Sequence, residues 1–304
     1  MSTPPPSRVV LVVGGSSGIG RAVGHLLSER GDHVVLAARG RRSLDLAVAE
    51  CRDRGAASVR GEVVDVRDDS AVQRLVDGVL REHGRVDAVV TTAAVLAFGR
   101  FEDVPADVFE EVVRTNVVGV ANVARAALPV LRSSGGGTLV LLGSVLGETA
   151  APSMTPYVVS KWAVRSLARQ LAIETRDDPD VRVCLVAPGA VNTPIYRRAG
   201  NYQGRAPKAP FPVISPERVA RVVAQAVDRP RSVLHTTPFD HVMRAGFALL
   251  PWAYDAMVGP LYRLLGTTRV LVAATPGNVF GAVEELEGLH GTTPPPLMTT
   301  SAGR

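Results

Sequence analysis

The chain of 304 residues is nearly without lysine: Lys161 and Lys208 are the only two, although lysine and arginine together number 34. The net charge of +5 is therefore carried by arginine. Its densest cluster, Arg39, Arg41 and Arg42, is short, and no long basic run or reader motif accompanies it, so no nucleic-acid partner is expected. Cysteine is also scarce. Cys51 and Cys184 lie in separate segments, which excludes a disulfide framework and makes a reducing compartment the default. Met1 to Ser7 lacks the charged region, apolar core and cleavage site of a secretion signal. The valine run Val9 to Val13 is far too short to span a bilayer. A cytoplasmic location is expected. There is no internal repeat, and no metal site is assigned.

What the sequence does contain is a regular alternation. Val9–Val13, His33–Ala38, Ser58–Val64, Val86–Thr91, Thr138–Leu142 and Val181–Val186 are short β-branched runs. Ser232–Thr236 is a candidate last strand. Helix-length stretches such as Ile19–Arg30, Leu44–Arg54, Ala71–His83 and Pro216–Asp228 lie between them. Near-continuous apolar strands suit a sheet covered on both faces. Strand–helix alternation predicts βαβ units, right-handed crossovers and a doubly wound parallel sheet of about seven strands.

The first strand runs into Gly14-Gly15-Ser16-Ser17-Gly18-Ile19-Gly20, which opens the first helix. Glycines let the backbone turn sharply and approach a pyrophosphate, and the helix start offers free N–H groups and a positive dipole end. The second strand ends in Ala38-Arg39, where NAD-preferring sites carry an acid for the ribose 2′-hydroxyl. A guanidinium there can pair with a 2′-phosphate. Arg39 thus points to NADP(H), with Ser16, Arg41 or Arg42 as helpers. Tyr157 and Lys161 stand four apart, on one face of a helix. A nearby ammonium is expected to lower the phenol's pKa, so that Tyr157 exchanges protons near neutral pH.

Together these motifs resemble the short-chain dehydrogenase/reductase family. Gly14, Gly18 and Gly20 fall on its T-G-x-x-x-G-x-G fingerprint, with Val13 in place of the threonine and one side-chain hydrogen bond thereby expected to be missing. Asn116, Ser144, Tyr157 and Lys161 fall on its catalytic four. The resemblance spans roughly Arg8 to Thr236 and implies a Rossmann-type fold and hydride transfer between NADP(H) and a carbonyl or alcohol carbon. Tyr157 is then the acid/base, Ser144 orients the substrate oxygen, and Lys161 also binds the nicotinamide ribose. Asn116 interrupts a helix and holds a water in a proton relay. The family's adenine contact falls on Asp65, with Val66 beside it, and this role is favoured; the alternative is that Asp65 caps the helix beginning near Asp68 or Asp69. Ala93 lines the cofactor within Thr91-Thr92-Ala93-Ala94, where the family has N-N-A-G. Pro188, Gly189, Val191 and Thr193 match P-G-x-V-x-T near the carboxamide and phosphates. Ser17 and Ile19 complete the phosphate turn.

Three segments are expected: a catalytic domain over 8–236, a mostly helical extension over 237–290, and disordered tails at 1–7 and 291–304. Ile195–Pro212, with Tyr196, Tyr202 and Phe211, reads as a mobile lid. The apolar stretch His241–Leu265 reads foremost as lid or core packing, then as an oligomer contact, and last as a membrane-surface element. The substrate is expected to be an apolar alcohol or ketone, and the assembly a homodimer or homotetramer. The alternatives are a non-catalytic NADP(H)-binding regulator and a membrane-surface lipid-binding protein.

Overall fold

In the computed structural model residues 7–291 are described; most of the two expected tails lies outside them. The strands are β1 (Val9–Val13), β2 (His33–Ala38), β3 (Ser58–Val63), β4 (Ala88–Thr91), β5 (Gly137–Leu142), β6 (Val181–Ala187) and β7 (Val233–His235). They form one parallel sheet in the order β7-β6-β5-β4-β1-β2-β3. The doubly wound expectation holds. Strand order reverses between β1 and β4, and such a switch point opens a crevice at the carboxyl edge of a sheet.

Alternation within the strands explains why they are apolar throughout. Val9, Leu11 and Val13 join one core with Val35, Leu139 and Leu141. Val10 and Val12 join the other with Val34, Leu36 and Val140. Helices α1 (Gly18–Glu29) and α2 (Arg41–Asp53) pack on the second face. Helix α3 (Asp69–His83) packs on the first, capped by the Asp68 side chain on Ala71 N and closed by Gly84 at φ 71.

Next come α4 (Ala106–Val113), a π turn over Arg114–Val118, and α5 (Gly119–Ser133). Helix α6 (Thr155–Glu174) starts with Pro156 in its first turn. Helix α7 (Pro216–Asp228) is capped by Ser215 and packs beside α1 on the second face.

The extension begins with two helices and continues as strand and loop. Helix α8 (Pro238–Leu249) begins with a capping box between Thr237 and Asp240. Helix α9 (Pro251–Leu265) runs on through Pro260, so that proline does not end it. Tyr254 Oη donates to the Ala150 carbonyl at 2.7 Å, and the Phe247 ring packs at a tilt 6.2 Å from Trp162. These contacts fasten the hairpin beside α6. Its outer side is open, with Trp252 75% and Leu249 76% exposed. Thr267–Leu271 then pairs antiparallel with Arg205–Pro207, and the chain returns across the carboxyl edge of the sheet. Among the described residues no helix is long and apolar enough to cross a membrane.

Candidate active site

The glycine turn is built by close approach. Gly14 N and Gly15 N donate to the Ala37 carbonyl at 2.7 and 3.0 Å, which ties the turn to the end of β2. Gly14 has φ +92, and a Cβ on Gly20 would lie 2.1 Å from the Gly14 carbonyl oxygen; only glycine fits there. Sequence alone marks a missing hydrogen bond at Val13. The structure supplies it from the next strand: Thr92 Oγ1 lies 3.1 Å from both the Val13 and Gly14 carbonyl oxygens. The departure at Thr92 thereby compensates the departure at Val13.

A cleft opens over this turn. Ser16, Ser17, Gly18, Ile19, Gly20, Arg39, Val66 and Ala93 line it on the β1–β4 side, and Pro188, Gly189, Val191 and Thr193 on the other. Ser144, Tyr157 and Lys161 line the same cleft. Of the residues singled out from sequence, Asp65 and Asn116 are not in this lining. Asp65 is taken by Arg67, whose Nε lies 2.9 Å from each carboxylate oxygen and whose backbone N donates at 3.0 Å. Although burial opposes it, this pairing holds the carboxyl below its usual range. Asp68, not Asp65, caps α3. Arg41 and Arg42 are exposed at the start of α2 and do not reach the cleft.

Tyr157 and Lys161 project from one face of α6, Lys161 being 2% exposed. Lys161 Nζ donates to the Leu142 carbonyl at 2.9 Å. Burial pushes its pKa down to about 8. The expectation that Lys161 lowers the Tyr157 pKa is not met. Burial pushes the phenol up to about 12, and the Ser144 side chain only partly offsets it. The physical reason is desolvation: removing water penalises phenolate more than the surrounding groups compensate. Ser144 follows β5, accepts from Leu146 N at 3.1 Å, and is held by Val145 N donating to the Pro188 carbonyl at 2.8 Å.

Asn116 sits fully buried in the π turn between α4 and α5, so it does interrupt a helix. Single π turns often mark functional sites. Its Nδ2 donates to the Val95 carbonyl and Ser160 Oγ, both at 2.9 Å, and its Oδ1 accepts from Val95 N at 2.8 Å. The side chain joins the loop after β4 to α6.

Beside Tyr157 an apolar cluster combines Leu96, Phe98, Met154, Tyr196 and Tyr262. Tyr196 stacks 6.4 Å from Phe98 and lines the cleft. Tyr202 packs elsewhere, with Val95 and Val104, and Phe211 is exposed. Arg198, Asn278 and Glu287 also line the cleft. Sequence reading missed these three. Asn278 and Glu287 come from far along the chain, and Arg198 lies in a segment with no periodic pattern.

The chain matches the short chain dehydrogenase family over residues 8–203. It is 36% identical over 195 residues to a Bos taurus protein named dehydrogenase/reductase SDR family member 4, covering 64% of this chain and 69% of that one. It is 30% identical over 232 residues to an uncharacterized oxidoreductase of Listeria monocytogenes, covering 75% and 93%. Among solved structures it is similar to an alcohol dehydrogenase from the archaeon Thermococcus sibiricus complexed with 5-hydroxy-NADP. That match has a TM-score of 0.65 and 29% identity over 75% of this chain and 95% of that one. A short-chain type dehydrogenase/reductase from Mycobacterium ulcerans matches with a TM-score of 0.69 and 25% identity, over 85% and 98%. A parallel sheet with a glycine turn at its switch point, and a matched region reaching from β1 past β6, lead to one conclusion: the chain belongs to the short-chain dehydrogenase family of oxidoreductases.

Proposed function

We propose that the protein transfers hydride between NADP(H) and the carbonyl or alcohol carbon of an apolar substrate, with Tyr157 as general acid/base. The observation that carries this reading is that Tyr157, Lys161 and Ser144 line the same cleft as the glycine turn. The cleft fits a dinucleotide. Its turn has no side chain where a Cβ would strike backbone, and the N-terminus of α1 faces it. Ala38 and Arg39 stand where an acid would repel a 2′-phosphate, which favours NADP(H) over NAD(H). The Thermococcus sibiricus relative was crystallised with an NADP derivative.

Bound in the cleft, the cofactor would supply the hydride. The chain's own groups handle the proton and the oxygen. A phenol pushed up to about 12 is protonated at neutral pH, so Tyr157 is set to donate a proton to a developing alkoxide. Ser144 holds the same oxygen by hydrogen bonding. Lys161, adjacent and largely charged below its pKa of about 8, stabilises the phenolate left behind. The hydrogen bonds of Asn116 to Val95 and Ser160 favour a positioning role over a proton relay. The aromatic cluster of Phe98, Tyr196 and Tyr262 favours a bulky apolar substrate. Residues 8–236 are taken as the catalytic unit, acting as a homodimer or homotetramer.

A panel of apolar ketones and alcohols, each with NADPH/NADP⁺ and NADH/NAD⁺, tests this reading. Carbonyl reduction with NADPH in preference to NADH is expected. Absence of hydride transfer with every pair would sink it.

A further inference from the structure

The last part of the extension, after its two helices, returns to the cofactor cleft and takes its hydrogen-bond donors. It is anchored where Thr275 pairs with Asn201 and where Asn278 and Val279 are buried. Beyond this anchor, no residue from Phe280 to Gly291 is buried. The Gly288 carbonyl accepts from Gly18 N at 2.8 Å and from Ser17 Oγ at 2.9 Å. The Glu287 carboxylate accepts from Ser16 Oγ at 2.8 Å and from Arg198 Nη1 at 2.7 Å. The Asn278 carbonyl accepts from Arg39 Nη2 at 2.9 Å.

We infer that residues 280–291 form a strap that acts as a pseudo-ligand, with Glu287 and the Gly288 carbonyl holding the phosphate donors until the cofactor displaces them. The inference rests on the NADP(H) reading above.

Acceptors at these donors are what the physics of the site asks for. Free N–H groups at the start of α1 and the Arg39 and Arg198 guanidinium groups create an anion site. A carboxylate and main-chain carbonyls are the acceptors the chain itself can offer. The pair is well shielded, Arg198 and Glu287 side chains retaining 11% and 8% exposure. Arg198 Nε is buried with no partner among the described residues, so this guanidinium has donor capacity beyond Glu287. A cofactor phosphate beside the Glu287 carboxylate would meet a like charge in a poorly solvated place, so the two do not share the donors. The strap is held mainly by polar contacts: only the Glu287 side chain is well shielded and only Leu289 packs against the core, while every residue from Phe280 to Gly291 keeps some exposed surface, so it is fit to leave. It has a second acidic hold outside the cleft, where Glu284 Oε2 accepts from Ser43 N at 2.9 Å in the first turn of α2. A closed strap lowers the apparent cofactor affinity in proportion to the fraction of molecules open.

The test is NADPH and NADH titration of the full chain, of Glu287→Gln and of Glu284→Ala, with hydrogen exchange followed over 283–291. Both variants are expected to bind NADPH about tenfold more tightly than the native chain, as the open fraction rises. Strap amides of the native chain should exchange faster once NADPH is added. Weaker or equal binding by Glu287→Gln, or slower strap exchange on binding, would make the segment a wall of the bound site and overturn the inference. Tighter binding by Glu287→Gln with Glu284→Ala unchanged also overturns it, because loss of one charge near a phosphate suffices for that. Equal NADPH binding by all three chains overturns the strap alone. No binding of either dinucleotide by any of them overturns the cofactor reading as well.

Discussion

Lys161 Nζ lies 5.5 Å from the centre of the Tyr157 ring while donating to the Leu142 carbonyl at 2.9 Å. The ammonium therefore sits over the face of the ring, in a cation–π position, with β5 fixing its height. A buried charge is held beside the group it serves, and that arrangement has a stability consequence.

Burial lowers the Lys161 pKa from the ordinary 10.5 to about 8. Between these values the unfolded chain holds the proton and the folded chain releases it, so stability rises with pH across this window. Lys161→Met removes that slope. Urea unfolding of both chains from pH 7.5 to 10.5 should show the native chain gaining on the variant by on the order of 3 kcal/mol, at about 1.4 kcal/mol per pH unit. Parallel pH curves would mean that the lysine is not desolvated.

Arg39 is the residue on which cofactor choice turns. Arg39→Ala should lower kcat/KM for NADPH by roughly tenfold to a hundredfold, the worth of a hydrogen bond to a charged group, while leaving NADH nearly unaffected. The ratio of the two kcat/KM values is the measurement. An unchanged ratio would remove the basis for NADP(H) preference.

The Thr92 hydroxyl braces the glycine turn through the Val13 and Gly14 carbonyls. Thr92→Val keeps the shape and loses the donor. It should cost about 1 kcal/mol in urea unfolding and weaken dinucleotide binding. No change in either would show the turn to be held by its glycines alone.

The centre of the sheet was legible because its inner strands alternate between two buried faces. Val9–Val13 and His33–Ala38 were located to the residue by their apolar runs. Ser58–Val63 is an exposed edge strand, and Ala88–Thr91 is shorter than its apolar run, so their ends carry less signal. Tyr157, Lys161, Ser144 and the glycine turn were legible because their chemistry depends on fixed spacing. Other features were not. The hold of Arg67 on Asp65 depends on a side-chain direction that spacing does not encode. The approach of Asn278 and Glu287 to Arg39 and Ser16 is a long-range return of the chain, with no local pattern to announce it. The pKa of Tyr157 depends on how much water is excluded, which only the packing of Phe98, Met154 and Tyr196 around it reveals.

Tyr157→Phe tests the central claim most directly, measured as ketone reduction with NADPH alongside NADPH binding by fluorescence. Loss of the hydroxyl should reduce turnover by about a thousandfold, within the range of general acid catalysis, with the NADPH Kd unchanged. A variant that binds NADPH normally and reduces the ketone at the native rate would contradict Tyr157 as the proton donor.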